Sequence, residues 1–244
     1  MSKTKQINTF IKGPLGVLAG FGLILFILLN AVDRYSFDKA FYAHVYDHLG
    51  TAKTIGISDE DLDKSTNVLL DYIKDDRLDI DVDVTLEDGT VEPMFNEREI
   101  MHMVDVKDLY LNAMKVKWIG LSFFILTSIL FIFRYGWKNG SLHLFRAYRI
   151  SLILFGTIVL VLTAFILLDF DRFWTSFHHV FFTNDLWILN PATDRMILMV
   201  PSYFFNELVK RIVYASIGGM VFSFIVLYLV KHTLKTVTPE QKGL

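Results

Sequence analysis

The 244-residue chain contains no cysteine, which excludes both a disulfide framework and a catalytic thiol. It also lacks the short motifs by which several common enzyme classes are recognised. No G-x-S-x-G sequence is present, so the nucleophile elbow of the α/β-hydrolases is excluded. A P-loop, a dinucleotide-binding glycine pattern and the zinc motif H-E-x-x-H are likewise absent. Any chemistry must therefore come from residues outside these patterns.

Long apolar runs, in contrast, dominate the sequence. Hydrophobic residues make up 53 % of the chain, with 22 phenylalanines, well above the usage of a soluble protein. Four runs, each bracketed by charge, approach or reach the length of about 20 residues needed to cross a hydrocarbon core. They are residues 15–32, 116–133, 150–168 and 212–230. This pattern predicts four transmembrane helices rather than a soluble core.

The first apolar run has two interpretations. Lys3, Lys5 and Lys12 form a basic leader ahead of it, as in a cleavable signal peptide. The run is long, however, and the sequence LNAVDRY that follows offers no small-x-small cleavage site. We therefore expect a retained anchor, with residues 1–32 forming a cytoplasmic arm and the first span.

The charged residues are divided between two sets of segments. The N-terminal arm, residues 134–149 and residues 231–244 hold ten of the 24 basic residues and one of the 26 acids. By the positive-inside rule these segments are cytoplasmic, and residues 33–115 and 169–211 lie outside. An acidic outer face makes nucleic acid an implausible partner. No span carries the deeply placed ionisable residue that marks an ion pathway, which argues against a transporter.

The segment 33–115 is too long for a simple connection and predicts a small α/β extracytoplasmic cap between the first two spans. Apolar spacing indicates helices over residues 36–49 and 58–73. Alternating apolar and acidic residues over 78–91 predict a strand, a turn at Asp-Gly and a second strand. A further helix is expected from Asn96 into the second span. The predicted fold is thus a mainly α integral membrane protein with four transmembrane helices and this inserted cap.

The second external segment, 169–211, begins with an aromatic stretch interrupted by charge. Phe170, Phe173, Trp174, Phe177 and Phe181 fall on one face of a helix. A stripe of this kind beside a span favours a helix lying in the plane of the membrane surface. The alternative is a helix that packs on the cap.

Two histidines of the cap, His44 and His48, are four residues apart and share a helical face. That is a metal-ligand spacing, but no third ligand accompanies the pair. We expect a solvated pair and no metal site. Two serines outside any motif, Ser176 and Ser202, remain open as nucleophiles.

His102 lies among charged residues just ahead of the second span. On a helix, Glu99 and Asp105 lie three residues to either side of it and Arg98 four residues before it. Either carboxylate can hold the imidazole in one tautomer, as a general base requires. The alternative is a surface ion-pair helix with an incidental histidine. If the His102 ring lies at the depth of the lipid esters, its partial burial disfavours the charged form and keeps the imidazole neutral.

Three blocks, NEREIMHMVDVKDL, FHHVFFTNDLWILNPATD and LMVPSYFF, resemble the bacterial lipoprotein intramolecular transacylases. The first specific pattern, E-R-E-x-x-H-M-x-D-V-K, covers residues 97–107. The second, F-H-x-x-F-F followed by D-L-W, covers 177–182 and 185–187. His179 occupies a variable position of the second pattern, so His178 is the residue that matches the histidine of the family pattern.

The resemblance implies an enzyme that moves the sn-2 acyl chain of an S-diacylglyceryl-cysteine lipoprotein onto its own α-amine, giving the lyso-form. His102 and His178 are then the catalytic acid and base, and Arg98 or Asn190 is a candidate to stabilise the oxyanion. The predicted supporting residues are Glu97, Arg98, Glu99, Asp105, Lys107, Asp185, Trp187 and Asn190. We expect no cofactor, contacts with membrane lipids, and a monomer in the bacterial cytoplasmic membrane with cytoplasmic termini and the site at the outer leaflet.

Two other functions fit the same residues. One is a membrane esterase or acyltransferase that uses another acceptor. The other is a four-span sensor or assembly partner without catalysis, whose histidines are structural.

Overall fold

The computed structural model describes residues 3–233, with side chains described from residue 13 onward. The predicted tail therefore lies mostly outside the described residues. The helices are α1 (Lys3–Ser36), α2 (Lys39–Leu49), α3 (Thr51–Ile55), α4 (Asp59–Ile73), α5 (Glu97–Leu168), α6 (Phe170–Phe181), α7 (Met196–Met199) and α8 (Ser202–Thr233). Strands β1 (Asp83–Thr85) and β2 (Val91–Pro93) pair antiparallel.

Within residues 3–233, three helices are long and apolar enough to cross a membrane: Gly13–Ser36, Glu97–Leu168 and Ser202–His232. The 72-residue α5 contains two of the four predicted spans. Its helical backbone is interrupted at Gly136, where φ is 73° and ψ is 162°. This conformation favours glycine because a Cβ would clash there.

The segment 134–149 differs from the predicted connecting loop. Apart from Gly136 it is helical, so one residue replaces the expected loop. The segment contains no proline, and lysine and arginine have good helix propensity, so a helix that begins in the preceding apolar run can continue through it. The basic composition of this segment predicts that it leaves the apolar environment, but it does not predict whether the backbone stays helical.

One compact unit consists of the apolar parts of α1, α5 and α8. Its helices approach closely where small residues face each other. A Cβ added to Gly22 would lie 2.5 Å from the carbonyl oxygen of Gly120, and one added to Gly120 would lie 2.8 Å from that of Gly22. Ser151 Oγ donates to the Val17 carbonyl at 2.8 Å. Such small-residue contacts are typical of helix packing within membranes.

The second compact unit combines residues 32–114 with residues 169–212. Its apolar core includes α7 and the beginning of α8. Phe204 is 0 % exposed, and its ring lies 5.0 Å from that of Phe41 and 4.8 Å from that of Tyr42. The two segments predicted to lie on one side of the membrane therefore share a single core.

The secondary structure of the cap follows the sequence pattern closely. Ser58 Oγ accepts a hydrogen bond from the Asp61 amide at 3.0 Å, which caps α4. The hairpin turns at Gly89, whose φ is 85°. The first cap helix begins at Lys39 rather than at 36, because α1 continues through Ser36.

Candidate active site

The start of α5 is fixed by a reciprocal pair of hydrogen bonds. Glu99 Oε2 accepts from the Asn96 amide at 2.8 Å, and Asn96 Oδ1 accepts from the Glu99 amide at 3.0 Å, as in a capping box. Glu99 Oε1 accepts from the Met196 amide at 2.6 Å. Burial raises the pKa of Glu99, and the hydrogen bonds from Met196 and Asn96 oppose that shift. The carboxylate therefore joins α5 to α7 one turn before His102.

His102 has no carboxylate partner, which corrects the expectation from its spacing. Its buried Nδ1 has no hydrogen-bond partner. Glu99 is committed to backbone amides, and Asp105 Oδ2 accepts from Asn184 Nδ2 at 2.8 Å. Burial lowers the pKa of His102; a positive charge on His178 lowers it further, and Asp105 opposes both.

His178 is 6 % exposed and lies on the packed side of α6. Its Nδ1 is 2.8 Å from the Trp174 carbonyl oxygen. Since a carbonyl can only accept, Nδ1 carries the proton and Nε2 of the neutral ring is free to accept one. Burial lowers the pKa of His178, the bond to Trp174 opposes that shift, and His179 lowers it further.

Aromatic rings surround both imidazoles. Trp187 stacks on His178 with ring centroids 4.4 Å apart and an interplanar angle of 22°. Trp174 lies 4.5 Å from the same ring. Phe182 is shared, with its centroid 5.5 Å from that of His102 and 5.8 Å from that of His178.

The two histidines line one cavity of about 570 Å³. Besides these imidazoles, the polar side-chain groups among its lining residues are the Ser202 hydroxyl and the indole nitrogens of Trp174 and Trp187. The other walls are aromatic or aliphatic, and α7 with the start of α8 supplies one of them. An apolar cavity with a few convergent polar groups is the usual form of a small-molecule or lipid site.

Sequence reasoning did not identify the wall formed by Ile197, Val200 and Phe205. The last two lie within the LMVPSYFF block, but apolar residues carry no chemical signal of their own. Their role becomes visible only when the fold brings them opposite the histidines.

Two residues expected to stabilise an oxyanion lie outside this cavity, which corrects that expectation. Arg98 Nη1 donates to the backbone carbonyl of Asp185 at 3.1 Å. Asn190 forms a turn: its amide donates to Asp194 Oδ2 at 2.6 Å, and its Oδ1 accepts from the Ala192 amide at 3.0 Å. Both side chains shape the loop that carries Trp187.

Three other predicted supporting residues also lie away from the cavity. Lys107 forms an ion pair with Asp75 at 2.6 Å and lies over the Tyr72 ring. Glu97 borders a separate polar cavity of about 710 Å³. Asp105 borders a smaller one of about 210 Å³. These residues organise the surroundings of the site.

The other histidines and serines considered as candidates differ in whether they line the cavity. His179 is exposed and, like Ser176, does not line the cavity, whereas Ser202 does. Ser176 Oγ donates to the Arg172 carbonyl at 2.7 Å. His44 and His48 are exposed on α2. Within the described part of the chain, no three histidine or carboxylate side chains form a group able to hold a metal ion.

The family model for "Lipoprotein intramolecular transacylase Lit" matches residues 17–205, which include both histidines and the cavity walls. The chain belongs to the lipoprotein intramolecular transacylase family. No curated protein sequence is significantly similar to it.

Solved structures of the transacylase Lit from Bacillus cereus share the fold. A variant with one histidine replaced by arginine has a TM-score of 0.74 and 18 % identity over 97 % of this chain and 99 % of its own. Another structure of the same transacylase has a TM-score of 0.70 and 21 % identity, covering 94 % of this chain and 100 % of its own. Those proteins are integral to the membrane, as this member of the transacylase family is.

Proposed function

We propose that the chain is an intramolecular transacylase acting on a diacylated lipoprotein. The sn-2 acyl chain moves from the glyceryl oxygen to the α-amine of the same N-terminal cysteine, giving the lyso-form. The observation that carries this proposal is the single apolar cavity lined by both His102 and His178. Because nucleophile and ester belong to one substrate, a cavity that folds the lipid anchor back on itself supplies much of the catalysis by proximity.

His178 is the general base in this proposal. Its Nδ1 donates to the Trp174 carbonyl, so Nε2 is directed to accept a proton. The amine nitrogen attacks the ester carbonyl carbon, the C–N bond forms, and the proton lost by the amine passes to Nε2. Burial favours the neutral ring that this step requires.

His102 is the general acid and donates as an imidazolium. When the intermediate collapses, the bond between the carbonyl carbon and the glyceryl oxygen breaks, and that oxygen takes the proton of His102. A charge on one imidazole disfavours a charge on the other, so the reactive pair carries a single positive charge, on His102. The proton that His178 gains returns to His102 between turnovers.

The proposed membrane arrangement has four spans. The helices α1 and α8 each provide one, and α5 provides two on either side of Gly136. Lysine and arginine density favours cytoplasmic termini and a site at the outer leaflet. The proposed partners are the lipoprotein substrate and membrane lipids, with a monomer as the working unit and no cofactor.

Mass spectrometry of a diacylated lipopeptide incubated with the purified protein tests the activity. We expect an unchanged total mass, a blocked α-amine and no free fatty acid. Release of fatty acid would instead indicate an esterase.

The roles of the histidines are tested by replacement. His102→Asn and His178→Asn should each lower the rate by at least about 100-fold, the usual scale of lost acid–base catalysis. The matched control, His44→Asn on the exposed face of α2, should retain the wild-type rate. Lyso-form production at the wild-type rate in either cavity variant would remove the assignment.

A further inference from the structure

The indole nitrogen of Trp187 is an unusual feature of the cavity. Trp187 Nε1 is buried and has no hydrogen-bond partner. An indole N–H can donate but cannot accept, and buried donors in native proteins are nearly always paired. Because Trp187 lines the cavity, an acceptor bound there that reaches Nε1 would satisfy this donor.

We infer that Trp187 Nε1–H is the donor that stabilises the oxyanion formed during acyl transfer. The inference rests on the proposed function, since it names a role within that reaction. The residues suggested by sequence for this role, Arg98 and Asn190, hydrogen-bond backbone groups outside the cavity. Trp187 lines the cavity together with both histidines.

The position of the indole suits this role. Its ring is stacked nearly parallel to that of His178, 4.4 Å away. The donor and the base therefore belong to adjacent layers of one aromatic stack. His179 packs edge-on against the same indole at 5.6 Å and helps to hold its orientation.

The reaction step is a balanced electron-pair movement. As the amine nitrogen bonds to the carbonyl carbon, the π pair of the ester carbonyl moves onto its oxygen, which becomes the oxyanion. Trp187 donates a hydrogen bond to that oxygen without transferring its proton. On collapse, the pair re-forms the carbonyl while the bond to the glyceryl oxygen breaks.

An isosteric replacement tests the N–H group separately from the ring. In β-(3-benzothienyl)alanine a sulfur replaces the indole N–H while the fused ring is kept. Placed at Trp187 of the full-length protein, it should lower kcat by about 100-fold, the scale of losing one oxyanion donor. KM should change by less than about threefold, because the donor acts mainly on the transition state. The same replacement at Trp137, which is 52 % exposed outside the cavity, should leave both constants unchanged.

The outcomes separate two failures. If wild-type protein converts the diacylated lipopeptide and the isostere retains its kcat, the Trp187 role is wrong while the proposed function stands. The same conclusion follows if Trp187→Phe loses activity and the isostere does not, since stacking alone would then explain the indole. If wild-type protein forms no lyso-product, the proposed function itself fails.

A measurement on the wild-type protein covers the case in which the isostere does not fold. The chain has four tryptophans, so four indole N–H resonances are expected in an ¹⁵N spectrum. An unreactive diacylglyceryl peptide with an acetylated amine presents the same ester carbonyl. Its binding should move the Trp187 resonance downfield, and an unmoved resonance in the saturated complex would overturn the inference.

Discussion

At the residue scale, burial disfavours the charged form of both imidazoles of the cavity. The pKa of each lies below the ordinary value of 6.5. The unfolded chain would protonate both rings as the pH falls through 6.5, whereas the folded chain does so only at lower pH. Unfolding therefore takes up protons in that window, and the free energy of unfolding falls with decreasing pH.

This sign gives a measurable prediction. Between pH 7 and pH 5 the melting temperature of the wild-type protein should fall further than that of the His102→Gln/His178→Gln double variant. Thermal unfolding in detergent at each pH, monitored by circular dichroism, measures the difference. Direct NMR titration of the two rings should give both pKa values below 6.5. A value at or above 6.5 for either ring would contradict the burial argument.

The sequence blocks singled out the two histidines that line one cavity, but not the contacts of the residues around them. Spacing suggested Glu99 for His102, yet Glu99 bonds the Met196 amide, 97 residues away along the chain. Asp105 similarly bonds Asn184, 79 residues away. Local periodicity shows which side chains share a helical face. It contains no information about a partner brought by another element.

At the element scale, the start of α5 depends on one buried carboxylate. Glu99 is 1 % exposed, and each of its two carboxylate oxygens accepts a hydrogen bond from a different backbone amide, those of Asn96 and Met196. Glu99→Gln would turn an NH₂ group toward one of those donors and leave it unpaired. We expect a loss of about 2 kcal/mol in the free energy of unfolding and a lower kcat, since His102 follows one turn later.

The neighbouring replacement Glu97→Gln is the matched control for this prediction. Glu97 is exposed, so its replacement should change stability by less than about 0.5 kcal/mol. Denaturant or thermal unfolding of the three proteins gives the comparison. Equal stability of Glu99→Gln and wild type would show that the capping carboxylate is dispensable.

The glycines of the membrane helices give a second prediction at this scale. Gly22 and Gly120 meet backbone to backbone, so a methyl group at either site cannot be accommodated by moving a side chain. Gly22→Ala should therefore lower the melting temperature. Gly218→Ala is the control, because a Cβ there meets nothing within 4 Å. If both variants melt with the wild type, close packing at this contact contributes nothing.

Prediction of the elements was most successful where a local signal dictates the backbone. The N-cap of α4 at Ser58 and the hairpin turn at Gly89 are each closed by hydrogen bonds between residues at most four positions apart. The helix through 134–149 was missed because charge density reports the environment of a segment rather than its backbone. A single glycine at 136 was sufficient to interrupt α5.

At the scale of the whole molecule, the number of spans decides where the termini lie. Four spans put both termini on one side of the membrane, and three would put them on opposite sides. The chain has no cysteine, so one introduced cysteine is a unique label. Lys53→Cys at an exposed position of α3 and Asn139→Cys at an exposed position just after the Gly136 break report on two segments, and Gly243→Cys reports on the C-terminal tail.

A membrane-impermeant maleimide applied to intact cells should label Lys53→Cys alone. After permeabilisation, Asn139→Cys and Gly243→Cys should also react, because the basic segments that contain them are predicted to be cytoplasmic. External labelling of Asn139→Cys would mean that the part of α5 before Gly136 does not cross the membrane. External labelling of Gly243→Cys, with Asn139→Cys still protected, would place the tail on the same side of the membrane as the cap. The proposed path of α8 would then be wrong.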